Sequence, residues 1–114
     1  MTTLGDLVLA GQSGREYRFR VYPWTHDLKP LPAVYVVTER VVEPNHPPRY
    51  SPVFIGVTDD LSLVFENHAK SECFEVYYAN TVAVLPIQDI RLRRQIVHDL
   101  FSAHSPPCNG DDPY

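Results

Sequence analysis

The sequence predicts a small α+β domain: a three-stranded antiparallel sheet flanked by helices, with a β-hairpin added at the N-terminal side. Three observations carry this expectation. Five short runs have strand character, and two segments repeat their apolar residues with helical spacing. The runs follow the order β-β-loop-β-β-α-β-α, in which hairpin connections favour antiparallel pairing. A chain of 114 residues suits one hydrophobic core rather than two.

Leu7 to Ala10, the turn Gly11-Gln12-Ser13-Gly14, and Tyr17 to Tyr22 read as the hairpin. Its second arm alternates aromatic or branched residues with charged ones, the period of a half-buried strand. Trp24 to Pro32 is a connector. Ala33 to Thr38 is a β-branched run of strand type. A proline-rich loop over Glu39 to Ser51 then leads to a strand over Val53 to Val57. Thr58-Asp59-Asp60 supplies capping and acidic residues for a helix start, and Leu61, Val64, Phe65 and His68 fall on one helical face. Thr81 to Leu85 is the next strand. A second helix spans about Asp89 to Ala103, with Leu92, Ile96 and Leu100 as its stripe and Val97 and Phe101 beside it. Pro106-Pro107 stops it.

Formal charge is −4, from ten basic against fourteen acidic side chains. Phosphate neutralisation dominates nucleic-acid affinity, so the missing basic excess argues against tight non-specific DNA binding. Cys73 and Cys108 lie far apart without CxxC spacing; they could form a disulfide only in an oxidising compartment, and free, inert thiols are the expectation. No apolar run reaches the ~18 residues of a membrane span, and the first residues lack a signal-peptide pattern. A cytoplasmic protein without membrane association is the expectation. Eleven prolines punctuate the chain, and the end from Gly110 to Tyr114 is expected to be a flexible tail.

Two segments carry a family resemblance. Ala33-Val34-Tyr35-Val36-Val37 is followed by Val53-Phe54-Ile55-Gly56-Val57-Thr58-Asp59-Asp60-Leu61, and the chain closes with Arg94 to Phe101 and Ser105-Pro106-Pro107-Cys108-Asn109. Together they resemble the GIY-YIG nuclease fold over residues 33–109. Residues 1–32 form the added hairpin and connector of a single 1–109 domain. The resemblance implies Mg-dependent cleavage of DNA in an intact member, but here it places Phe54, Val64 and Val97 at positions where cleavage needs polar side chains.

Tyr35 occupies the first tyrosine position and keeps its phenol. Phe54 occupies the second, retaining the ring without a hydroxyl to donate or relay a proton. Val64 stands where the resemblance puts an arginine that would stabilise charge on the phosphate. Val97 stands where it puts the metal-binding glutamate, and a Mg²⁺ site needs a carboxylate oxygen. Replacing both partners of a charged pair by apolar groups costs little, whereas losing one leaves the other stranded. Phe54, Val64 and Val97 are therefore expected to converge in an apolar cleft. His68 matches the histidine ending the first helix, and Asn109 the asparagine after the last.

Arg91, Arg93 and Arg94 form the only basic cluster, read either as a solvated face or as a weak nucleic-acid contact. His98-Asp99 and His104 are not expected to form a metal site, since adjacent residues point to different helix faces. The expectation is a catalytically degenerate binding or interaction module. It has no cofactor, and an unidentified protein or a second copy is bound through the apolar cleft. The alternative is a weak or unusual DNA endonuclease that takes Mg²⁺ on Asp59, Asp60 or Glu66.

Overall fold

A computed structural model describes residues 3–24 and 27–110. Five strands form one curled antiparallel sheet: β1 (Gly5–Ala10), β2 (Glu16–Pro23), β3 (Ala33–Val41), β4 (Arg49–Thr58) and β5 (Thr81–Pro86), in the order β1-β2-β5-β3-β4. The two helices are α1 (Ser71–Val76) and α2 (Ile90–His104). This corrects the expected three-stranded sheet flanked by helices. The N-terminal hairpin is not an addition, because β2 pairs with β5 from Arg20↔Val84 to Pro23↔Thr81 and continues the sheet. Val82 and Val84 on one side of β5 and Ala83 on the other are all buried. A strand covered on both faces is readily flanked on both edges, and β5 sits at the centre.

Strand alternation sends the core to two faces. Val34, Val36, Ile55 and Ala83 meet Ile96, Val97 and Leu100 of α2 on one face. Tyr35, Val37, Val82 and Val84 meet Leu28, Leu61 and Phe74 on the other. The stripe expected on α2 is partly displaced, since Leu92 is exposed and Arg93 is buried in its place.

The proline-rich loop is shorter than expected because β3 and β4 extend to Val41 and back from Arg49. β4 is a sheet edge, where a proline without an N–H is tolerated. The register shifts between Val37↔Phe54 and Thr38↔Pro52. The extra residue, Val53, lets two consecutive side chains, Val53 and Phe54, face the same core.

The helix expected from Asp60 to His68 is a 3₁₀ turn over Leu61–Leu63, capped by the Asp60 carboxylate on the Ser62 N–H. Asn67 at φ 72° breaks any continuation, and the α-helix starts later, at Ser71. So short a helical segment has little intrinsic stability, and burial of Leu61 and Phe74 decides its form.

Asp99 fastens the first hairpin to α2. Its carboxylate accepts hydrogen bonds from the Ser13 N–H (2.8 Å), the Ser13 hydroxyl (2.7 Å) and the Tyr17 hydroxyl (2.7 Å). A Cβ on Gly11 would lie 2.1 Å from that carboxylate, so Gly11→Ala is expected to unseat the turn. The same three donors hold Asp99 below its ordinary value of 3.8. A depressed carboxylate stabilises the fold above its unfolded pKa, and that contribution is lost as pH falls through the folded one. Asp99→Asn is therefore expected to be less stable than the wild type at neutral pH and to lose less stability on acidification, so that the two converge at the lowest pH. Urea midpoints measured across the acid range check this. The expected tail falls largely on residues 111–114, outside the described residues.

Candidate functional site

Tyr35 on β3 and Gly56 on β4 are directly paired, and the phenol ring lies over the glycine. A Cβ at position 56 would stand 2.6 Å from the Tyr35 ring and 2.7 Å from that of Phe54, so only glycine leaves room for both. His68, in the bend between the 3₁₀ turn and α1, reaches the Tyr35 hydroxyl with Nε2 at 2.8 Å. Phe54 and Phe74 pack against the imidazole with ring centroids 5.1 and 4.9 Å away. Tyr35, Phe54, Gly56, Val57, His68, Ala69 and Lys70 line a partly open cleft of about 290 Å³.

The hydrogen bonds determine the protonation of this pair. The Lys70 backbone N–H donates to His68 Nδ1 at 3.0 Å, so that nitrogen carries a lone pair. Burial, and secondarily the Lys70 charge, pushes the imidazole below its ordinary 6.5, so it is neutral at pH 7. A neutral ring with Nδ1 accepting holds its proton on Nε2 and donates it to the Tyr35 oxygen. Burial pushes the Tyr35 phenol far above its ordinary 10. The phenol thus keeps its own proton and has it available for an acceptor in the cleft.

Of the three residues expected to converge, only Phe54 lines this cleft, where it meets Tyr35 and His68. Val64 is half-buried at the edge of the same core. Val97 is elsewhere: it packs against Val34, Val36 and Ile55 on the opposite face of the sheet. With Phe54 5% exposed and Val97 fully buried, no open apolar cleft joins these two positions. Asn109 is structural. Its side-chain Oδ1 accepts from the Ile55 N–H at 2.9 Å and its Nδ2 donates to the Ile55 carbonyl at 2.8 Å, completing the outer edge of β4.

The basic cluster is divided as well. Arg93 is buried, donating to the Thr58 carbonyl (2.6 Å) and the Asp59 carboxylate (3.0 Å), and only Arg91 and Arg94 face outward. Asp60 caps the 3₁₀ turn, so two of the three carboxylates considered for Mg²⁺ already have protein partners. Among the described residues, no three His, Cys, Asp or Glu side chains are grouped as metal ligands. His104 contacts the Ala10 carbonyl at 2.8 Å, away from any partner ligand.

Three features differ from expectation or went unanticipated. Cys73 and Cys108 are not the expected free thiols but a disulfide, with Cα atoms 5.8 Å apart, tying α1 to the chain after α2. Lys70 enters the cleft, and Asp99 anchors the hairpin. Only the disulfide had a trace in the sequence, the even cysteine count; the other two depend on loop conformation. No helix among the described residues is long and apolar enough to cross a membrane.

The fold and site define a five-stranded antiparallel α+β domain with a neutral tyrosine–histidine pair in a small aromatic cleft. Comparison with family models, curated proteins and solved structures finds no match to this chain.

Proposed function

We propose that this chain is a non-cleaving binding module that holds an acceptor-bearing ligand over Tyr35, His68 and Lys70. The observation that carries the reading is the double occupancy of His68. Nδ1 accepts from Lys70 and Nε2 faces Tyr35, so neither nitrogen offers a lone pair to an attacking water. Tyr35, with its pKa raised by burial, is no better placed to act as a base at neutral pH. What the cleft presents is a phenolic O–H beside an ammonium-bearing side chain, which is recognition chemistry. The Cys73–Cys108 bond favours an oxidising compartment over the cytoplasm.

The retained Tyr35–His68 contact favours a second reading, a weak nuclease of GIY-YIG type, and cleavage assays separate the two. Purified protein is expected not to nick supercoiled or linear DNA with Mg²⁺ or Mn²⁺. Nicking that EDTA abolishes and Tyr35→Phe removes would establish the nuclease instead. Under the binding reading, Tyr35→Phe leaves the fold intact and weakens only ligand capture.

A further inference from the structure

A second hollow lies beside Phe65, whose ring also stacks near His68. Trp24, just beyond β2, lies against Phe65 with ring centroids 4.7 Å apart, and meets Phe74 edge-on at 6.0 Å. These three rings, with Ser71, Glu75 and Ala79, line a partly open space of about 210 Å³. Among the described residues, Glu75 is its only charged lining residue, and no cation lines it. Glu75 forms no ion pair among the described residues.

Aromatic faces carry negative potential and attract cations, most strongly over tryptophan and where water is excluded. A carboxylate beside three rings adds a formal charge of the same sign. The lining also selects the kind of cation. An ammonium or guanidinium brings several N–H donors, and each needs an acceptor when desolvated. Among the described lining side chains, Glu75 is the one charged acceptor and the Ser71 hydroxyl the only other polar group, too few acceptors for the three N–H donors of an ammonium. A fully methylated ammonium carries its charge without donors and presents methyl groups to the rings. The volume lies below the ~300 Å³ typical of drug-sized ligand sites, which suits a head group rather than a whole ligand. We infer that Trp24, Phe65, Phe74 and Glu75 form a binding site for a methylated ammonium group, carried by a free choline-like molecule or by a methylated lysine side chain.

Trp24 is the only tryptophan, so its fluorescence reports directly on the site. Titration with choline at constant ionic strength is expected to give a saturable change, while its neutral tert-butyl isostere binds about tenfold more weakly. Glu75→Gln, at an exposed position, is expected to weaken choline several-fold without altering the thermal melt. Trp24→Leu, followed by amide chemical shifts of Phe65 and Ala79, is expected to remove binding in a protein that still unfolds cooperatively. A peptide bearing trimethyllysine distinguishes the sources: tighter binding than choline places the cation on a protein, and weaker binding on a free molecule. Equal affinity for choline and the neutral isostere, unchanged affinity in both variants, or no saturable response to either cation overturns the inference. The site shares Phe65 and Phe74 with the surroundings of Tyr35 and His68, whereas Trp24 and Glu75 belong to it alone, so the two variants test it separately from that cleft.

Discussion

Reduction of the Cys73–Cys108 bond is expected to lower the stability of the fold by about 3–4 kcal/mol, from the entropy regained by the unfolded chain over a loop of this length. The separation is 35 residues. For a domain of this size that corresponds to a fall in Tm on the order of 15 °C. The bond fixes two parts of the molecule at once. Cys73 lies on α1, whose Phe74 packs against His68. Cys108 lies on the closing segment, where its N–H donates to the Val53 carbonyl at 2.9 Å. Thermal melts with and without a dithiol reductant, and on Cys73→Ala with Cys108→Ala, measure the effect. A melt unchanged by reduction, with thiol titration confirming that the bond is broken, would show that packing alone holds α1 and the closing segment.

Asn109→Ala is expected to cost about 2–4 kcal/mol, because it strands two buried backbone groups at once. Asn109 is 1% exposed, and its amide is the partner of both the N–H and the C=O of Ile55. In effect it supplies one residue of a further strand to the β4 edge, which also keeps that edge from pairing with other chains. Asn109→Asp keeps the acceptor but loses the donor and buries a carboxylate, so it should be no milder. Urea unfolding gives the stability, and hydrogen exchange at the Ile55 amide gives the local consequence. Because the disulfide and Asn109 restrain the same segment, their effects should fall short of additive when combined. A full sum would mean that the two act independently.

The same device recurs once. Asn80, at the start of β5, accepts from the Arg40 N–H at 2.7 Å and donates to the Arg40 carbonyl at 3.0 Å. In both places an asparagine amide replaces a missing peptide unit beside a strand. Neither role was evident beforehand, since an asparagine in a turn-forming sequence reads first as turn chemistry.

How much was legible follows the range of the interactions involved. The strands were placed by runs of branched and aromatic residues, and α2 by its cap, its apolar spacing and Pro106-Pro107. Those signals act within a few residues and survive in the structure at Ala33–Val41, Thr81–Pro86 and Ile90–His104. The meeting of Tyr35 with His68 was not visible, since it depends on the register that sets Tyr35 beside Gly56 and on the bend that carries His68. The helix after Asp60 was misread because spacing over two turns does not reveal that Asn67 takes a left-handed backbone.

By itself the sequence determined the number and most of the extents of the strands, the second helix and a formal net charge of −4. Only the tertiary structure decided how those strands are ordered, and that β2 rather than solvent lies beside β5. It also decided that Val97 faces the opposite side of the sheet from Tyr35 and Phe54, and that Arg93 is buried. The physical reason is that strand and helix propensities act locally. Which edges pair and which face a helix covers depend on burying apolar surface from distant parts of the chain together, and periodicity records that a face is apolar without recording what lies against it.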